Sequence, residues 1–155
     1  MPSTFREIVA AIVRGDVQAV GRMLEETPAF ATEASAEGAT RADAESFFFA
    51  EIGHYLYAGD TCLHMAAAAF RSDLAQLLID KGADVHAPNR RGAQPLHYAA
   101  DTNHWNPEAQ AAAISCLIAA GADPNSVDKG GAAPLHRAVR TRSAAAVAAL
   151  LSGGC

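Results

Sequence analysis

Apolar residues in this chain fall into short clusters that repeat rather than into long runs. The string Leu-His-x-Ala occurs at 63–66, 96–99 and 135–138, which sets its histidines at intervals of 33 and then 39. Gly-Ala-Asp occurs at 82–84 and 121–123, and Gly154-Cys155 stands where a third copy would begin. From histidine to glycine the intervals are 18, 24 and 18, so the basic period is 33 and six extra residues lie between His97 and Gly121. A fixed period of this size marks stacked supersecondary units. Each Leu-His-x-Ala is predicted to open a short helix. A second helix follows and ends at the glycine, which can adopt the left-handed conformation. The third unit shows the apolar stripe of such a helix at Ala113, Ile114, Leu117 and Ile118. The stretches "GADVHAPNRRG" and "GADPNSVDKGG" read as turns or hairpin-like fingers.

The tetrads "TCLH" at 61–64, "QPLH" at 94–97 and "APLH" at 133–136, together with the alanines, the Gly-Ala-Asp strings and the period, resemble the ankyrin-repeat family. The family's threonine survives only as Thr61, and Cys62 takes the place of the proline. The resemblance implies an all-α solenoid of about four helix-turn-helix units with hairpin-like finger loops. It also implies that the recurring histidines, His64, His97 and His136, hydrogen-bond between neighbouring loops.

Upstream, "IVAAIVRGDVQAVGRMLEETPAFA" fits a first unit, with Ile8 and Val9 in the Leu-His places and Thr27-Pro28-Ala29 in place of Gly-Ala-Asp. Thr4 and Glu7 form a capping box at its start. The interval from Val9 to His64 is one period with an excess of 22, and that excess lies in "EGATRADAESFFFAEIGHYLYAGD". This insertion carries Phe47, Phe48, Phe49, Tyr55 and Tyr57, five of the nine Phe and Tyr residues. Three consecutive exposed phenylalanines would invite aggregation, so Phe47 to Phe49 are expected to pack. The units are placed at about 4–38, 58–90, 91–129 and 130–155 of a single domain, with the insertion at about 39–57.

Composition narrows the setting. Half of the 155 residues are apolar and 19% are charged, enough apolar surface for a packed core. The net charge of −5 offers no general pull toward nucleic acid or anionic membrane. The charge is uneven: residues 22–60 hold eight acids and two bases, residues 61–155 seven acids and eight bases. Cys62, Cys116 and Cys155 are odd in number without a CxxC pair, which points to a reducing, cytoplasmic setting. The longest weakly polar run, "AAAISCLIAAGA", is too short to span a bilayer.

The stretch "LHYAADTNHWNPEAQ" at 96–110 gathers His97, Asp101, His104, Trp105 and Glu108 and looks most like chemistry. Asn106-Pro107-Glu108, however, is a helix start: an asparagine cap, a proline in the first turn and an acid near the positive end of the dipole. His104 and Trp105 are then loop residues, with Trp105 expected to cover the enlarged turn and His104 to face solvent. An alternative reading makes the loop around His104, with Asp101 and the aromatic insertion, a small-ligand or metal site. No nucleophile with its base, phosphate loop or metal-ligand spacing is present, so no catalytic residue, metal or cofactor is assigned. Cys116 occupies the place of Leu77 and Ala149 in other units and reads as a small core residue.

The resemblance implies protein binding on a concave face built from finger tips and first-helix positions. By position the tips supply Tyr57, Asp60, Arg90, Arg91 and Lys129. The first helices supply Met65, Tyr98, Asp101, Thr102, Arg137, Arg140 and Thr141. Their basic character points to an acidic segment of a partner protein. Finally, the last predicted helix carries no charge over "AAAVAALL" at 144–151, where an end unit should present a polar face. The expectation is either a fragment of a longer array or self-association through the C-terminal end.

Overall fold

The computed structural model describes residues 3–154. Eight α-helices run in pairs: α1 (Phe5–Arg14) with α2 (Val17–Glu26), α3 (Cys62–Ala68) with α4 (Ser72–Asp80), α5 (Pro95–Ala100) with α6 (Pro107–Ala119), and α7 (Pro134–Arg140) with α8 (Ala144–Ser152). The first helices α1, α3, α5 and α7 stack in order as one layer, and α2, α4, α6 and α8 as the other. The core lies between the layers, with Ile8, Ile12, Leu63, Leu74, Leu78, Leu96, Ile114 and Leu117 closed to solvent. The fingers are turns without strands. The two-stranded sheet lies in the insertion instead, where β1 (Phe48–Phe49) pairs antiparallel with β2 (His54–Tyr55).

Local chemistry explains the helix starts. Thr61, Asp16, Asn106 and Ser143 each accept a hydrogen bond from the backbone of the first turn that follows. At α3 the cap is double: the Thr61 hydroxyl accepts from His64 N, while His64 Nδ1 accepts from Thr61 N. Gln94 has nearly the same backbone angles as Thr61 but makes no side-chain cap, and its buried Oε1 has no partner. Gln94→Thr is therefore expected to stabilise the protein by about 1 kcal/mol, read as a higher urea midpoint at unchanged slope.

Two of the three repeat histidines bridge neighbouring loops, whereas among the described residues the exposed His136 bonds only within its own turn, Nδ1 accepting from Ala133 N at 2.9 Å. His64 Nε2 donates to Ala93 O at 2.8 Å and His97 Nε2 donates to Ala132 O at 2.9 Å. A backbone carbonyl must receive a proton, so Nε2 carries it and Nδ1 is left to accept from the backbone of residue 61 or 94. Backbone bonds run parallel to this ladder, from Arg90 N to Ala58 O and from Lys129 N to Arg91 O, tying each finger to the one before it.

Candidate binding surface

The insertion covers part of the first-helix layer. From Ile52 to Tyr57 it alternates: Ile52, His54 and Leu56 are buried, whereas Gly53, Tyr55 and Tyr57 are partly exposed. The buried set turns onto the first-helix layer. The His54 ring lies 4.6 Å from the Tyr98 ring of α5, and a Cβ on Gly53 would come within 2.7 Å of Asn103 O beyond α5. Phe47 is buried under the Arg6 guanidinium, while Phe48 is 43% exposed against Tyr55. The three phenylalanines therefore do not share one fate, because successive strand residues face opposite ways.

Several residues expected on the binding surface are inside the protein. Met65 is fully buried, in the helix layer over which the insertion lies. Asp60 is likewise fully buried; it accepts from Tyr57 N at 2.8 Å, Asn89 Nδ2 at 3.0 Å and Tyr98 OH at 2.8 Å. Tyr98 is therefore an internal donor, 3% exposed. Burial pushes the Asp60 carboxyl up to about 6, although these three donors favour its charged form. Burial and the neighbouring Asp60 carboxylate push the Tyr98 phenol up as well. Asp101 is buried and receives Arg137 at 2.9 Å and Arg140 at 3.1 Å. Arg137 also reaches Asp128 at 3.4 Å, so its charge is spent within the protein. Thr102 and Thr141 are joined by a backbone-to-hydroxyl bond of 3.2 Å, and Thr102 also binds the buried Gln110. These two threonines hold the enlarged α5–α6 loop to α7.

Tyr57, Arg90, Arg91, Lys129 and Arg140 remain accessible. Among the described residues, Arg90, Arg91 and Lys129 have no carboxylate within salt-bridge distance. The Arg91 guanidinium lies 5.9 Å from the centre of the Tyr57 ring. This pair separates two open clefts. One, of about 550 Å³, lies between the insertion and the second finger beside Arg6, Arg90 and Thr40. The other, of about 360 Å³, runs beside His54, Asp101 and Arg140.

His104 and Asp101 are not brought together as a site. His104 Nε2 donates to Ala68 O at 3.1 Å, and its ring stacks on Phe70 at 4.2 Å. It is thus half-buried rather than in solvent. Phe70 has a positive φ of 57°, and His104 covers this unusual turn. Trp105 is 74% exposed and does not cover the enlarged loop, because Asn106 caps α6 immediately after it. No cluster of three potential metal ligands exists among the described residues. Burial pushes the Cys62 thiol up to about 12, so it stays protonated at neutral pH. Cys116 faces α4, with Sγ 3.7 Å from Ser72 O. Cys155 lies outside the described residues.

The family model for ankyrin repeats in three copies matches residues 8–109 and again 63–155. The chain is an ankyrin-repeat protein. Ankyrin repeats are generally protein-interaction modules, and proteins built from them are typically non-catalytic scaffolds. In this ankyrin-repeat protein the segment between α2 and α3 packs onto the first-helix layer, with His54 against Tyr98. That leaves the second and third fingers as its accessible cationic edge. Among the described residues, no helix is long and apolar enough to cross a membrane.

Proposed function

We propose that this protein is a non-catalytic binding module that receives an acidic, extended segment of a partner protein across its finger tips. Uncompensated positive charge at Arg90, Arg91 and Lys129, beside Tyr57 and between two clefts, carries this reading. Arginine and tyrosine at the centre of a patch are the residue types that dominate binding energy. Arg140 supplies further positive charge at the margin, partly satisfied by Asp101. The acids of residues 22–60 keep the net charge negative, so attraction is confined to this edge and fades with salt.

A Glu-rich peptide, followed by fluorescence anisotropy at low and physiological ionic strength, tests the chemistry, and affinity capture from the source cell tests the natural partner. Arg90→Glu with Arg91→Glu is expected to weaken both by about tenfold or more. Unchanged capture and unchanged peptide binding would show that the finger edge is not the binding surface.

A further inference from the structure

The cleft of about 360 Å³ is lined by aromatic rings and by guanidinium groups together. The rings form a row. Measured between ring centres, His54 lies 4.6 Å from Tyr98 and 6.2 Å from Tyr57, and Tyr55 lies 6.0 Å from Tyr57 and 4.8 Å from Phe48. The exposed Phe48 is thus the outer end of this row, whereas Trp105 and Val127 line neither cleft and are isolated apolar side chains of the ordinary kind. The charged lining is Arg91, Arg137 and Arg140 with one carboxylate, Asp101. Asp101 is already engaged by Arg137 and Arg140, so the lining is net positive. The larger cleft has no comparable row: its one phenyl ring, Phe47, is covered by the Arg6 guanidinium.

His54 leaves one polar atom open here. Its Nδ1 lies 2.7 Å from Tyr55 O, and a carbonyl must receive a proton, so Nδ1 carries the hydrogen and Nε2 holds a lone pair. Burial lowers the His54 pKa, which keeps the ring neutral at pH 7. Among the described residues Nε2 finds no hydrogen-bond partner, yet it is not fully enclosed by protein; the cleft is the open space that His54 lines. This acceptor selects what can enter. A carboxylate is drawn to the arginines but offers Nε2 no proton, and a lysine or arginine meets three guanidinium groups. An aliphatic or phenylalanine side chain would displace water and leave Nε2 unpaired. An indole donates but is the largest side chain, and this cleft is at the small end of the range for ligand sites. A phenol satisfies both parts of the lining, with ring surface for the aromatic row and a donor for Nε2.

We infer that the partner segment places a tyrosine in this cleft, its ring beside Tyr55 and Tyr57 and its hydroxyl donating to His54 Nε2. This tyrosine belongs to the acidic segment proposed above and so rests on that reading. Tyr57 and Arg91 line both clefts, so the tyrosine site adjoins the arginines that receive the carboxylates. Charge brings the segment to the edge, and the tyrosine fixes its register there. His54, only 7% exposed, is then the residue that distinguishes tyrosine from phenylalanine.

A Glu-rich peptide carrying alanine, leucine, phenylalanine, tryptophan or tyrosine at each position in turn, titrated with the full chain by fluorescence anisotropy, tests this. At the best position tyrosine is expected to bind about tenfold or more tighter than alanine, and about three- to tenfold tighter than phenylalanine. In His54→Phe the tyrosine and phenylalanine peptides should bind alike, with circular dichroism melting as the check on folding. Wild-type protein gives a second measurement that needs no variant: the His54 Nε2 nitrogen resonance should move on adding the tyrosine peptide and stay in place with the phenylalanine one. Equal binding of those two peptides by wild type overturns the inference. So does a preference for leucine, phenylalanine or tryptophan, or a tyrosine preference that persists in folded His54→Phe. If the alanine peptide binds through Arg90 and Arg91 and tyrosine adds nothing, the finger edge stands and the tyrosine site falls; if no peptide binds, both fall.

Discussion

Asp60→Ala is expected to cost about 2 to 4 kcal/mol of folding stability at neutral pH. Three buried donors, Tyr57 N, Asn89 Nδ2 and Tyr98 OH, would lose their acceptor, and each orphaned donor costs about 1–3 kcal/mol. The total is smaller than the simple sum because the buried carboxylate is itself costly to keep charged, as its rise to about 6 indicates. Urea denaturation gives the magnitude. Hydrogen exchange locates the damage: the amides of residues 53–57 should lose protection before those of α3 and α4, because Asp60 fastens the base of the insertion to the second finger and α5. Uniform loss of protection throughout the chain would mean that Asp60 supports the core generally rather than this attachment.

Acid should destabilise the fold between about pH 6.5 and pH 4, and removing the Asp60 charge should steepen the loss. Burial lowers His54, His64, His97 and His104, with His64 falling to about 4. A folded value below the unfolded 6.5 means that the unfolded chain binds protons more tightly. The stability supplied by the neutral imidazoles is therefore complete above 6.5 and is lost as pH falls toward 4. Asp60 acts oppositely. Its raised value favours the folded state below 3.8, an advantage lost as pH rises through about 6. In wild type the two trends overlap and partly cancel. In Asp60→Asn the opposing one is gone, so the acid loss should grow by about 3 kcal/mol over the window. Denaturation series at several pH values compare slopes and are independent of the variant's absolute stability. Parallel wild-type and variant profiles would contradict this account.

The repeat was legible in the sequence because its signals are local. Leu-His-x-Ala, the asparagine cap at Asn106 and the spacing of His64, His97 and His136 each specify structure within a few residues. The exposure of the candidate residues was only partly legible. Arg90, Arg91 and Lys129 are exposed as position within the unit implies, but Asp60, Met65, Tyr98 and Asp101 are buried. Position within a unit says nothing about a segment arriving from elsewhere. One signal could have helped: the alternation of Ile52, His54 and Leu56 with Gly53, Tyr55 and Tyr57 is a strand pattern with one buried face. What lies beneath that face is a long-range matter, and nothing near His54 in the chain points to Tyr98.

The bonds from His64 to Ala93 and from His97 to Ala132 also give the array a direction. Through Nε2, His64 and His97 are each held by the loop that comes after them in the chain. Injury to a finger is consequently felt upstream: loosening the third finger removes the acceptor of His97 and weakens the start of α5, and loosening the second does the same to α3. Unravelling that begins at the C-terminal side would thus release one histidine after another toward the insertion, whereas fraying of α1 and α2 would leave every one of these bonds intact.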